Sequence, residues 1–210
     1  MISIGTARGG QPVIQKNGRW LASSFDPVRE AQAWAKKASL GVKHGESIFI
    51  LGLGSGYHVA ELAKLRSEPF LVFENDELLT EQALEICPEI RERSIIVDGD
   101  WTKLLENDTV RDQINGVYHI AKYGPSCQMS PEYFAQVENL LIGRDPLTFL
   151  LQLKARPGIW GILDGEKVRS LGSAQSNDPI SIKTLQKLFA ENANGSKERQ
   201  MWRVLEELVA

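Results

Sequence analysis

The chain predicts an α/β fold, a mainly parallel sheet covered by helices on both faces, and three observations carry that prediction. Apolar runs of strand length, Ile48–Leu51, Phe70–Phe73 and Ser94–Val97, alternate with segments of helical period. The first run stops at Gly52-Leu53-Gly54-Ser55-Gly56, immediately before a helical pattern. The second ends on Glu74 and the third on Asp98-Gly99-Asp100, so acidic residues stand at neighbouring strand ends.

That layout builds a nucleotide-shaped cleft. Glycines let backbone approach a ligand closely, and a helix start offers unpaired N–H groups. Glu74 lies about twenty residues after the turn, where such folds accept ribose hydroxyl hydrogen bonds. A dinucleotide fingerprint needs G-x-G-x-x-G, but position 57 is Tyr. The pattern G-x-G-x-G resembles the first motif of S-adenosylmethionine-dependent methyltransferases, and Gly99-Asp100 resembles the pair those enzymes place beside adenine. The resemblance implies a three-layer Rossmann-like (methyltransferase-like) core. In that core Gly52, Gly54, Ser55, Gly56, Tyr57, Glu74, Asp98 and Asp100 would contact cofactor. A tight strand-to-helix turn with no ligand explains the same glycines.

The remaining elements follow from local chemistry. Val13–Lys16 and Arg19–Ala22 flank Asn17-Gly18, the pair a type I′ hairpin turn requires. Asp26-Pro27 starts a helix whose Val28, Ala31, Trp34, Ala35 and Ala38 recur on one face. Helices are expected over Asp76–Cys87, over Trp101–Asn107 and from Ser130-Pro131, the last with Phe134, Val137 and Leu141 inward. Val117–Ile120 and Thr148–Leu153 are expected as the fourth and fifth strands. Three regions result: an N-terminal hairpin and helix over 1–45, the α/β core over 46–155 and a C-terminal extension over 156–210. The extension reads as a hairpin around Asp164-Gly165, a polar linker over Gly172–Asp178, and helices over Ser181–Ala193 and Ser196–Val209. That helical pair would dock on its own core or form a homodimer.

Composition narrows the function. The 210 residues can bury a substantial core, and the formal net charge of −3 gives no electrostatic case for nucleic acid. No stretch approaches membrane-spanning length, and MISIGTARGG lacks a signal-peptide core, so a cytoplasmic protein with no membrane partner is expected. Cys87 and Cys127 make no metal or redox spacing and read as reduced thiols. His44 and His119 stand alone, so no metal site is expected. No Gly-Lys-Ser/Thr follows the turn, which excludes a P-loop, and no nucleophile elbow is present.

Phe25-Asp26-Pro27-Val28-Arg29-Glu30-Ala31 and Leu51-Gly52-Leu53-Gly54-Ser55-Gly56-Tyr57-His58 together resemble the N-terminal domain of bacterial motility accessory factors. Those proteins have a "YDPxREA"-like helix start before a "GLGxGYH" turn, and Phe73-Glu74-Asn75-Asp76 resembles their "vEpD" strand end. The likeness spans roughly residues 10–120. It implies a cytoplasmic role in flagellin or surface glycosylation with CMP-activated sugars, and flagellin or a glycosylation enzyme as partner. In that family transferase chemistry belongs to a larger central domain, so only the accessory module is expected here.

Two side chains remain as chemical candidates. His58 is expected to titrate near neutrality and to serve as a general base or as a donor to an anionic group, or else it is a structural residue bonded to the DPVREA segment. Arg29 has a fork suited to phosphate or carboxylate, while Arg29 with Glu30 also reads as an ion pair. The functions in play are a nucleotide- or sugar-nucleotide-binding accessory module, an S-adenosylmethionine-dependent methyltransferase and a ligand-free scaffold. The cofactor candidates are S-adenosylmethionine and a CMP-sugar.

Overall fold

The computed structural model describes residues 1–68, 70–97, 99–145, 147–148, 151–152 and 155. Asp98 and the expected C-terminal hairpin, linker and two helices lie outside them. The chain divides into two compact units, Met1–Glu138 and Asn139–Ala210.

The first unit opens with an antiparallel meander of β1 (Ile2–Thr6), β2 (Pro12–Lys16) and β3 (Arg19–Trp20). Asn17 and Gly18 turn the chain between β2 and β3 at φ of 52° and 76°, the positive values that make this pair a hairpin signal. β1 was not expected. Its residues are mostly solvent-facing, with Ile4 49% exposed, so they carry no burial alternation to read. β3 is shorter than expected, but Leu21 and Ala22 are buried all the same.

Asp26 caps α1 (Pro27–Ser39) by accepting from the Arg29 amide at 2.9 Å, and Pro27 occupies the first turn, where its missing N–H costs nothing. Ala31 and Ala35 are the buried centre of its inner face, while Trp34, Val28 and Ala38 are half-buried.

The core sheet comprises β4 (Ser47–Leu51), β5 (Phe70–Phe73), β6 (Ser94–Val97) and β7 (Tyr118–Lys122). All pairs are parallel, in the spatial order β6-β5-β4-β7. Helices flank it: α2 (Tyr57–Leu65) and α3 (Glu77–Ile86) connect its first strands, and α4 (Asp108–Ile114), α5 (Gly124–Cys127) and α6 (Pro131–Ile142) follow. This is the expected mixed α/β architecture, a parallel Rossmann-like sheet flanked by helices. Ile48, Ile50, Phe70 and Val72 pack into one core cluster with Val59, Leu62, Leu79, Ala83 and Ala35, and with Ile14 and Leu21 from the meander. On the alternate positions Phe49 meets Phe73 edge-on and stacks on Tyr118 with ring centroids 4.5 Å apart.

Two helical segments depart from expectation. Residues 101–106 form a 3₁₀ turn, and Asn107 then caps α4, which was not anticipated, through the Thr109 and Val110 amides. The fifth strand expected at Thr148–Leu153 is corrected: residues 147–148 and 151–152 are helical. Asp145 and Thr148 form a reciprocal capping pair, with the Thr148 amide donating to Asp145 Oδ1 at 3.0 Å and the Asp145 amide to Thr148 Oγ1 at 3.1 Å. A cap of this kind satisfies the free N–H groups of a helix start, which decides a short apolar run whose length alone suits a strand equally well.

Candidate functional site

From β4 the sheet grows to one side through β5 and β6, and then resumes on the other side with β7. The strand ends between β4 and β7 are therefore a topological switch point, the position at which open α/β sheets bind ligands. The glycine turn lies there, followed by α2.

The turn is wholly buried from Gly52 to Gly56. Its glycines take φ of 97°, 51° and 85°, values that L side chains rarely adopt. The space a side chain would need is filled by the protein itself. A Cβ on Gly52 would collide with Ser126, and one on Gly54 would stand 2.7 Å from the Tyr123 ring and 2.8 Å from the Leu21 carbonyl. At Gly56 it would press on Cys87 and the Ala83 carbonyl at 3.2 and 3.3 Å. Close approach is what these glycines permit, and it is made by the chain's own β7–α5 connection, meander and α3.

The predicted contact residues are engaged in the same closure. Ser55 Oγ accepts from the Ile14 amide at 3.0 Å, and the Tyr57 hydroxyl donates to the Pro12 carbonyl at 2.8 Å. Glu74 is 2% exposed. Its Oε2 accepts from the Leu53 amide at 3.0 Å and its Oε1 from the Asn75 amide at 3.0 Å, so the carboxylate ties the turn to the next strand. Burial raises its pKa against the pull of those two amides. Beside it Lys16 of β2 pairs with Asp76 at 2.8 Å.

Asp100 is exposed and accepts from the Thr102 amide at 3.0 Å, which starts the 3₁₀ turn and holds its carboxyl below the usual range. Gly99, at φ 99°, has open space where a Cβ would lie. Asp98 is outside the described residues.

His58 is 1% exposed, and its Nε2 stands 3.0 Å from the Gly52 carbonyl. A carbonyl only accepts, so Nε2 carries the proton and Nδ1 is a bare acceptor, with no partner among the described residues. Burial drives the imidazole pKa down to about 3, outweighing the Gly52 hydrogen bond, and the ring is neutral at physiological pH. It stacks on Tyr123 at 3.7 Å and meets Trp34 edge-on at 4.7 Å. The expected hydrogen bond from His58 to the DPVREA segment is thus replaced by one to its own turn. Glu30 supplies the link instead, accepting from the Ser23 amide at 2.6 Å and standing 3.4 Å from the Tyr123 hydroxyl. No Arg29–Glu30 ion pair forms among the described residues, and Arg29 is exposed on the first turn of α1.

Tyr123 is the residue that sequence reasoning passed over. It follows the fourth strand in Ile120-Ala121-Lys122-Tyr123-Gly124, where no acidic motif draws attention. Its ring covers Gly54, stacks on His58 and reaches Glu30, and the adjacent Lys122 carbonyl accepts from Trp34 Nε1 at 3.0 Å. The two motif segments, one around Asp26-Pro27 and the other around the glycine turn, meet at this side chain. Among the described residues no group of three His, Cys, Asp or Glu could hold a metal, and no helix is long and apolar enough to cross a membrane.

No protein-family model matches the chain, and no curated protein does. Among solved structures it is similar to spermidine synthase from Thermotoga maritima, at 19% identity and a TM-score of 0.47. That match covers 74% of this chain and 60% of the synthase.

Proposed function

We propose that this chain is a non-catalytic accessory domain, a methyltransferase-like Rossmann frame whose nucleoside cleft is closed by its own residues. One observation carries the reading: at the switch point the glycine turn is packed against Tyr123, Ser126, Leu21 and Cys87. Among the described residues no acid–base pair stands there, since His58 is neutral, buried and stacked. The convergence of the DPVREA and GLGSGYH segments on Tyr123 supports a domain of the motility accessory factor kind. Its place is then in a surface-glycosylation system, with flagellin or a glycosylation enzyme as partner.

The test is a thermal-shift titration with S-adenosylmethionine, S-adenosylhomocysteine, CMP, a CMP-sugar and NAD. A ligand at about a hundred times its Kd adds about 2.7 kcal/mol, which raises the midpoint of a chain this size by several degrees. The expected result is no shift with any of them. A rise with CMP compounds overturns the closed cleft in favour of a sugar-nucleotide-binding module.

A second reading, an S-adenosylmethionine-dependent methyltransferase, is favoured by the β5 and β6 ends. The Glu74 amide donates to the Val97 carbonyl at the end of β6 at 3.1 Å, and Gly99-Asp100, which follows β6 in sequence, is exposed with open space at Gly99. A rise with the adenosyl compounds alone, abolished by Glu74→Ala, establishes it. An affinity that Glu74→Ala leaves unchanged removes it.

A further inference from the structure

Away from the glycine turn, the C-terminal half of α1, the stretch around Leu40 and Val42, and β7 line a half-open cavity of about 480 Å³. Small-molecule sites span about 300–1,000 Å³, with mostly apolar walls and a few polar groups. This cavity has a volume in that range and a mixed lining: Trp34, Ala38, Leu40, Val42, Ile120 and Ala121 give apolar surface, and Lys37, His119 and Lys122 add nitrogen. No carboxylate is in the lining.

The three nitrogen-bearing side chains differ in their partners. His119 Nε2 lies 2.8 Å from Glu46, and the Lys122 ammonium 2.6 Å from Glu138. Lys37 makes no ion pair among the described residues. Leu40, beside it, is 83% exposed, an unusual position for a large aliphatic side chain at a helix C-cap. Trp34 spends its one donor on the Lys122 carbonyl, so its ring offers the cavity apolar surface only. The small side chains of Ala38 and Ala121 keep the space between helix and strand open.

We infer that this cavity binds an amphipathic small molecule, one with an apolar body and a single anionic group. The rings and aliphatic walls hold its body, and Lys37 supplies the counter-charge. The site is separate from the glycine turn and does not depend on whether that turn binds a ligand.

The probes that test it are 1-anilinonaphthalene-8-sulfonate and its uncharged relative N-phenyl-1-naphthylamine, titrated by fluorescence against the full chain. Both should bind the unaltered protein. Lys37→Glu, at an exposed position, should weaken the sulfonate at least fivefold and leave the neutral amine unchanged. Ala38→Trp, which fills the space, should remove both. Failure of the sulfonate to bind overturns the inference, as does an unchanged sulfonate affinity in either variant. Thermal midpoints establish that the variants fold, and if Ala38→Trp does not, Lys37→Glu decides alone.

Discussion

Two glycines with positive φ separate strain from packing. Gly99 at 99° has open space for a Cβ, so Gly99→Ala should lose only the backbone preference, about 1 kcal/mol. Gly54 at 51° lies in the left-handed region that L residues reach more readily, so its backbone penalty is no larger, but its new methyl would also press on the Leu21 carbonyl and the Tyr123 ring. A carbonyl fixed in a packed meander cannot give way, and overpacking of this kind costs a further 1–3 kcal/mol or so. Denaturant unfolding of both alanine variants should therefore rank Gly54→Ala well below Gly99→Ala, by about 2 kcal/mol. Equal losses would mean that the turn is loosely covered. His58 makes a second prediction at this scale. Its folded pKa of about 3 lies below the ordinary imidazole value of about 6.5, so between those values the unfolded chain holds a proton that the folded chain does not. The stabilisation from the neutral ring is complete above pH 6.5 and is lost as pH falls, at up to about 1.4 kcal/mol per pH unit. His58→Phe keeps an aromatic ring against Tyr123 and should flatten the stability profile between pH 4 and 6. Glu74, with its raised pKa, acts with the opposite sign, so the difference between the two proteins isolates the histidine. An unchanged slope would show that His58 is not held neutral.

At the scale of elements, the meander decides what the glycine turn can do. Val13, Ile14 and Leu21 are fully buried, and Ile14 and Leu21 belong to the same cluster as the sheet residues. Exposing three such side chains costs roughly 5 kcal/mol or more, so an open form would be populated on the order of 10⁻⁴ or below. A ligand using that form would lose the same factor in apparent affinity. This is why the meander reads as structure rather than as a movable cover. Local signals made much of it legible. Asn17-Gly18 announced the hairpin, Asp26-Pro27 the helix, and each apolar run of the first three core strands became a strand. Asp145 before Pro146 carries the same helix-start signature as Asp26-Pro27, yet the apolar run after it was read as a strand. A capping pair decided between helix and strand there, because it satisfies backbone donors that a strand at that position would have to pair elsewhere.

At the scale of the molecule, the glycine motif was legible but its occupant was not. A turn that admits a ligand and a turn that admits a tyrosine need the same glycines, and the distinction lies in long-range contacts. Tyr123 reaches Gly54 from the end of the neighbouring strand β7, distant only in sequence, and Ile14 reaches Ser55 from the N-terminus. No local pattern encodes either approach. The closure therefore has to be tested as a cooperative property. The Ile14 amide donates to Ser55 Oγ and the Leu53 amide to Glu74, so both exchange with solvent only when the meander or the turn opens. If the meander is part of the core, native-state hydrogen exchange of these amides should require the same free energy as that of β4. It should also show the same denaturant dependence, because opening exposes the whole cluster at once. A lower free energy with a shallower denaturant slope at Ile14 would reveal an opening confined to the meander. The cleft would then be accessible to a ligand, and the reading of the chain would turn from accessory domain to nucleoside-binding protein.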